Sequence, residues 1–375
     1  MDAVAAAPPK RHPLYFVNAP VDWAIIGGVS LLLYAVLGSL AEWGSTTVRN
    51  DVVTRNSIAW TLAAGLQWVI NWPHFSATNY RLYHSKNNIA QYPFTAYVIP
   101  VLLLAATWSS FAYPDAVAPF FVKLFLIWSP YHFSGQSVGI SLIYARRAGF
   151  HVGKLERLAL AGFIYGTYIS STAFSESGRG DYSYYDVRVP FLGIPEEIYK
   201  GAQVGMYAFG ALLLLLVIRW CIVQRRILPP IVLLPAIAQF IWFVPGSRIE
   251  NFNEFVPMFH SLQYMLIAWS MQLKEKLDER GIHPSGGYVG SESARWFVIN
   301  VAGGIVLFYG LPQLCAALGS PIRFAEPVIL SAVQIHHFFV DGVIWKLKNP
   351  KVSSPLLVNI PDLLRSAQPA RAPAW

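Results

Sequence analysis

The sequence predicts an all-α fold: a polytopic integral membrane helix bundle of about ten transmembrane helices, with both termini on the cytoplasmic side. Three observations carry that expectation. Charged residues make up 13% of the chain and hydrophobic ones 55%, whereas a soluble domain carries roughly 25% charge. Apolar runs recur along the whole 375 residues, with 13 Trp, 19 Tyr and 23 Phe among them. The cations fall unevenly about those runs. The net charge of +8 is spread between apolar segments rather than gathered in a patch or tail, so nucleic acid is not expected as a partner. The lipid bilayer is.

The segments lie at residues 23–41, 57–80, 94–111, 119–144, 158–174, 202–223, 230–244, 255–273, 296–317 and 326–346. Crossing the hydrocarbon takes about 20 helical residues. The stretch 230–244 is short and rich in proline, and a re-entrant segment would bring the count to about eight or nine. With the N-terminus inside, the inner segments hold most of the 28 Lys and Arg, among them Arg146, Arg147, Lys274 and Lys346. The outer ones keep a few, such as Arg49, Arg179 and Arg248. That bias follows the positive-inside rule. The chain thus reads as one transmembrane domain, residues 1–350, followed by a cytoplasmic tail, 351–375. The stretch before residue 20 has Lys10 and Arg11 but no apolar core ahead of its prolines, which does not suit a signal peptide. Cys221 and Cys315 fall at opposite sides and are not expected to pair.

Nine histidines punctuate this hydrophobic chain. His12, His151 and His283 fall in loops and read as solvated surface groups; His84 belongs to either class. The others lie in apolar segments: His74 in "INWPHFSATNY", His132 in "SPYHFSGQSVG", His260 in "PMFHSLQYM", and His336 and His337 in "VQIHHFFVDGVIWKL". The four segments are even-numbered and run from outside to inside. His74 precedes Arg81 by 7 residues, His132 precedes Arg146 by 14, His260 precedes Lys274 by 14 and His337 precedes Lys346 by 9. At 1.5 Å per residue the depths differ by about 10 Å, which tilt and snorkelling absorb. Four helices can bring imidazoles to one layer.

A single polar residue in such a helix is commonly an interhelical hydrogen bond, worth about 0.6–2 kcal/mol. Five imidazoles at one depth are a costly way to make packing contacts, and one metal ion would satisfy most of them. The expected ligands are therefore His74, His132, His260, His336 and His337. Polar companions follow one turn on: Gln136 after His132, Gln263 after His260, Asn79 after His74 and Asp341 after His337. Spacings of three and four share a helix face, which suits groups that orient a ligating imidazole or ligate themselves. Asp341 and Tyr264 are the expected catalytic-pocket residues. His337 is favoured over His336 because Asp341 shares its face, while His336 points about 100° away. With no cysteine beside the histidines, non-haem iron, zinc or copper is expected rather than an iron–sulfur cluster. Haem b is the rival, since it needs only two facing histidines.

"YHFSGQSVG", together with the placing of histidines on several membrane helices, resembles the Brp/Blh family of bacterial membrane β-carotene dioxygenases. The resemblance covers that short segment and the layout. It implies a polytopic protein of the bacterial cytoplasmic membrane whose helix-borne histidines hold a non-haem iron, cleaving a polyene with O2. The HxxxH and HxxHH boxes of membrane desaturases and hydroxylases do not occur. The leading expectation is a membrane metalloenzyme, an oxygenase or oxidase, acting on a hydrophobic substrate such as a polyene or lipid. A b-haem electron-transfer subunit and a transporter with a His/Asp relay are the alternatives. In the transporter, "RIENFNEF" would be a gate; otherwise it reads as a solvated loop.

Overall fold

In the computed structural model, residues 14–44, 49–249, 251–281 and 285–344 are described. His12, His283 and the 351–375 tail lie outside them. The described chain is almost wholly helical. Its α-helices are Ala19–Trp23 (α1), Val29–Gly44 (α2), Arg49–Leu66 (α3), Trp72–Tyr83 (α4), Lys86–Gln91 (α5), Ile99–Ala112 (α6), Ala118–Arg147 (α7), Lys154–Ser175 (α8), Glu196–Gln224 (α9), Leu234–Phe243 (α10), Val256–Arg280 (α11), Gly286–Ile305 (α12), Leu311–Ala317 (α13) and Ile322–Ile344 (α14). One antiparallel hairpin, Asp181–Tyr184 (β1) with Val187–Pro190 (β2), joins α8 to α9.

Prolines shape these helices. A proline offers no N–H to the carbonyl four residues back, and its ring crowds that carbonyl. The helix responds by widening to a π turn in place of breaking. Such turns at Gln67–Asn71, Phe94–Val98 and Val306–Gly310 run into Pro73, Pro100 and Pro312. A fourth, Ala24–Gly28, has no following proline; there the side-chain amide of Gln263 donates to the Ile26 carbonyl.

Among the described residues five helical stretches are long and apolar enough to cross a membrane: Ala19–Ser39, Phe94–Ala112, Glu196–Gln224, Gly286–Ala317 and Ile322–Ile344. α9 buries only Met206 and Leu216 of its 29 residues, leaving Leu214, Leu215, Ile222 and Val223 exposed. That face suits lipid, which satisfies apolar side chains without protein contact. α14 is the opposite, buried along most of its length against α4, α6, α7 and α13. Glycines set the closest approaches. A Cβ on Gly166 of α8 would stand 3.0 Å from the Met206 backbone, and one on Gly304 of α12 would stand 2.6 Å from the Trp72 backbone. Small residues of this kind let membrane helices pack backbone to backbone.

The segment 230–244 is short, in keeping with its length and prolines: a 3-10 turn, Pro230–Val232, leads into the ten-residue α10. Ten residues extend about 15 Å, half the hydrocarbon. Its Leu234, Ala238 and Trp242 are buried in the protein core. The "RIENFNEF" stretch is not a plain solvated loop. Phe252 is fully buried, edge-on to Tyr34 and close to Phe259. Cys221 and Cys315 are unpaired, as expected.

Candidate metal centre

Four helices each present one histidine to a common point. His74 follows Pro73 at the start of α4, just after the π turn. His132 follows Pro130 inside α7. His260 lies in the first turns of α11, beyond Pro257. His337 lies deep in α14. One ring nitrogen from each of the four falls within 4.8 Å of the others. The Nε2 atoms of His132 and His337 are 3.0 Å apart. Ring centroids lie 4.3 Å apart for His74 and His337, 5.0 Å for His74 and His260, and 5.1 Å for His132 and His260, with planes steeply inclined. His74, His260 and His337 are buried, and His132 is nearly so.

Buried polar atoms are normally hydrogen-bonded, and leaving one unpaired costs about 1–3 kcal/mol. Here His74 Nε2 and both ring nitrogens of His260 have no hydrogen-bond partner. The other nitrogens reveal the reason. Ser261 Oγ lies 2.9 Å from His74 Nδ1, 2.8 Å from Asn71 Oδ1 and 2.7 Å from the Pro257 carbonyl. The serine's one hydrogen goes to an oxygen that can only accept, so His74 Nδ1–H donates to the serine. That leaves the lone pair of Nε2 facing the centre. Thr78 Oγ1 meets the far nitrogen of His337: it lies 2.9 Å from Nδ1, 2.6 Å from the Tyr264 hydroxyl, and 3.3 Å from both Asp341 Oδ1 and the His74 carbonyl. When Thr78 gives its hydrogen to one of those oxygens, His337 Nδ1–H donates to Thr78 and Nε2 presents a lone pair too. Hydrogen bonds on the far nitrogen set tautomer and orientation in this way at metal sites.

Asp341 completes the set. Its Oδ2 is 3.5 Å from His337 Nε2 and 3.6 Å from His132 Nε2. Donors each about 2.0–2.2 Å from one ion stand about 3–4 Å apart. The spacings among His132, His337 and Asp341 match that, and the widest separation, 4.8 Å, needs to close by about 1 Å. Imidazoles with one carboxylate suit iron, zinc or copper. The residues therefore fit a single transition-metal ion.

The other expected site residues go elsewhere. His336 does not join the group: about 100° round α14 from His337, its Nε2 lies 3.3 Å from the Tyr83 hydroxyl. Gln136 and Gln263 do not orient imidazole nitrogens. Gln136 donates to the His260 carbonyl and to Gln263 Oε1, and Gln263 donates to Ile26. Asn79 donates to the Phe75 carbonyl. These amides find backbone carbonyls because a helix one turn on offers them more readily than a ring whose polar edge points inward. Tyr264 is at the site, its ring 4.3 Å from His74. Ser261 and Asn71 have roles that sequence spacing does not reveal, since both serve a histidine on another helix or at its own helix's entrance. The one trace is their adjacency to His260 and to the "NWPH" turn.

A cavity of about 500 Å³ reaches the centre at His132 and Asp341. Trp128, Tyr131 and Phe338 wall it, with Tyr264 alongside. Gly139 and Gly342 also line it, and a Cβ on either would meet nothing within 4 Å. A small apolar molecule can approach along this slot.

No family model, curated protein or solved structure matches the chain. His132, Gly135 and Gln136 of the "YHFSGQSVG" segment all line the slot.

Proposed function

We propose that this chain is an integral membrane metalloenzyme whose His74, His132, His260, His337 and Asp341 hold one non-haem iron, and that it oxidises a hydrophobic substrate with O2. The observation that carries the reading is the set of unpartnered imidazole nitrogens, from separate helices, converging in a buried site. Contacts with Ser261 and Thr78 already hold the far nitrogens of two rings. The bound ion would supply the redox chemistry. The protein fixes the rings, keeps water out and admits an apolar molecule past Trp128 and Tyr131. The likeness to polyene-cleaving enzymes favours iron and a polyene, with a lipid as the other substrate class; zinc and copper share the donor preferences. Crowding of the four rings argues against a haem, whose flat macrocycle needs clear space between two axial imidazoles.

In this reading the chain lies in the bacterial cytoplasmic membrane with both termini inside. The ten apolar segments cross it, the seventh as the short α10 and its flanking turns, which is tolerable because that backbone is buried in protein. Reporter fusions after Gly178 and after Gly281 are expected to read outside and inside; matching signals would overturn the arrangement.

Metal analysis of freshly purified protein, with an optical spectrum, tests the centre. About one transition-metal ion per chain is expected. No metal in active protein would refute the proposal, and a Soret band would establish the haem alternative. A second reading has one observation in its favour: the 3.0 Å His132–His337 contact with Asp341 alongside would serve as a proton relay in a transporter. Proton movement in metal-free proteoliposomes would support that reading.

A further inference from the structure

On the His336 side of α14 lies a second cavity of about 800 Å³, independent of the reading above. Its walls, from α4, α6, α12 and α14, are mostly apolar; Ser76 and Thr107 lie among them, and Asn79, Tyr80, Tyr83, His84 and His336 supply the remaining polar groups. The hydrogen-bond bookkeeping there decides what it can hold. The Tyr83 hydroxyl is 2.9 Å from the Ala96 carbonyl and 3.3 Å from His336 Nε2. A carbonyl only accepts, and Pro100, four residues after Ala96, has no N–H to give it. Tyr83 therefore donates to Ala96, and its oxygen accepts from His336 Nε2–H. In the neutral ring that leaves His336 Nδ1 as an acceptor. His84 Nδ1 stands 2.9 Å and 3.1 Å from the carbonyls of Tyr80 and Arg81. It must carry the hydrogen, which leaves His84 Nε2 as an acceptor as well.

We infer that this cavity binds an apolar molecule ending in a hydroxyl donor, of the phenol, hydroquinone or long-chain alcohol class. Two imidazole acceptors call for a donor on the ligand, and an O–H meets them where an ether, facing them with a lone pair, leaves both unpaired; the hydroxyls of Ser76 and Thr107 in the same lining can pair with the oxygen of that group. The nearby cations among the described residues are already paired, which disfavours an anionic head group: Arg295, which reaches the Tyr80 hydroxyl, is held by both oxygens of Glu292, and Arg81 is paired with Glu275. The size suits a drug-sized or longer apolar body.

The test is equilibrium binding of para-decylphenol and its methyl ether, para-decylanisole, to the full chain as purified, in nanodiscs. The two differ only in the O–H. The phenol is expected to bind at least about tenfold more tightly, the scale of one to two hydrogen bonds. Dodecanol, run in parallel, separates the alcohol from the aryl class. In His336→Phe/His84→Phe the preference is expected to fall to within about twofold, with metal content unchanged. Tyr83→Phe, which removes the oxygen that orients His336, is expected to lower it by less, and serves if the double variant does not fold. Equal binding of phenol and ether by the wild-type protein would overturn the inference and leave the cavity to lipid tails. A preference that survives the variants would place the hydroxyl elsewhere.

Discussion

One helix, α7, carries two buried polar groups with opposite fates. Near its start, Lys123 Nζ donates to both Glu176 oxygens at 2.6 Å, with the Tyr182 hydroxyl at 3.3 Å, while the Leu192 N–H donates to the same carboxylate. Charge and hydrogen bonds close on themselves there, tying the end of α8 and the β-hairpin to α7. A few turns on, His132 enters a group in which three ring nitrogens have no partner at all. Both regions are removed from water, so burial does not distinguish them. What does is the balance of donors and acceptors. A buried polar cluster that satisfies itself holds structure, and one that does not is shaped for something it must bind.

The contrast breaks most sharply at His337. Replacing it with alanine is expected to abolish metal binding while leaving the fold in place, since the Asp341 carboxylate keeps His132 and Thr78 beside it. Added metal should raise the unfolding temperature of the wild-type protein and not of the variant. If His337→Ala kept full metal, the unpaired nitrogens would have another explanation. Lys123→Met tests the other region. Stranding the buried Glu176 carboxylate is expected to cost about 3–5 kcal/mol in unfolding, and adding Glu176→Leu to restore most of it. Metal affinity of the folded protein should not change in either.

Smaller effects sharpen the boundary. Asp341→Asn keeps the shape but removes the charge beside His132 and His337, and is expected to weaken metal retention about 10–100-fold by competition with a chelator. Ser261→Ala unties His74 without touching a ligand atom, and about a tenfold loss is expected. His336→Ala should leave metal content as it was; a loss equal to that of His337→Ala would put it back in the site. The mildest prediction concerns pH at the hairpin. Burial, with the Glu176 charge beside it, pushes the Tyr182 phenol from 10.0 up to about 12. A raised value favours the protonated fold, so this contribution is complete below pH 10 and is lost as pH rises through about 12. Phenolate absorbance in wild type minus Tyr182→Phe reports it; ionisation near 10 would show that the hairpin leaves the tyrosine solvated.

Composition and pattern were enough to read the chain as helical and apolar enough for a membrane, and to group His74, His132, His260, His336 and His337 as candidates for one site, of which the fold brings all but His336 together. The recurrence of ionisable groups in hydrocarbon is enough for that grouping, because each such group needs a compensating partner wherever it lies. The sequence also separated His337 from His336, since adjacent helical residues point about 100° apart. Only the tertiary structure decided the partners. Spacing along one helix suggested Gln136, Gln263 and Asn79 as orienting groups, yet all three answer backbone carbonyls. The rings are held instead by Ser261 of α11 for His74 of α4, and Thr78 of α4 for His337 of α14. A ring aimed away from its own helix meets the side chains of the next one, and which residue waits there depends on helix rotation and depth, which no single helix encodes. The same holds for α10: hydropathy marks it as apolar, but proline and packing decide that it is short and buried.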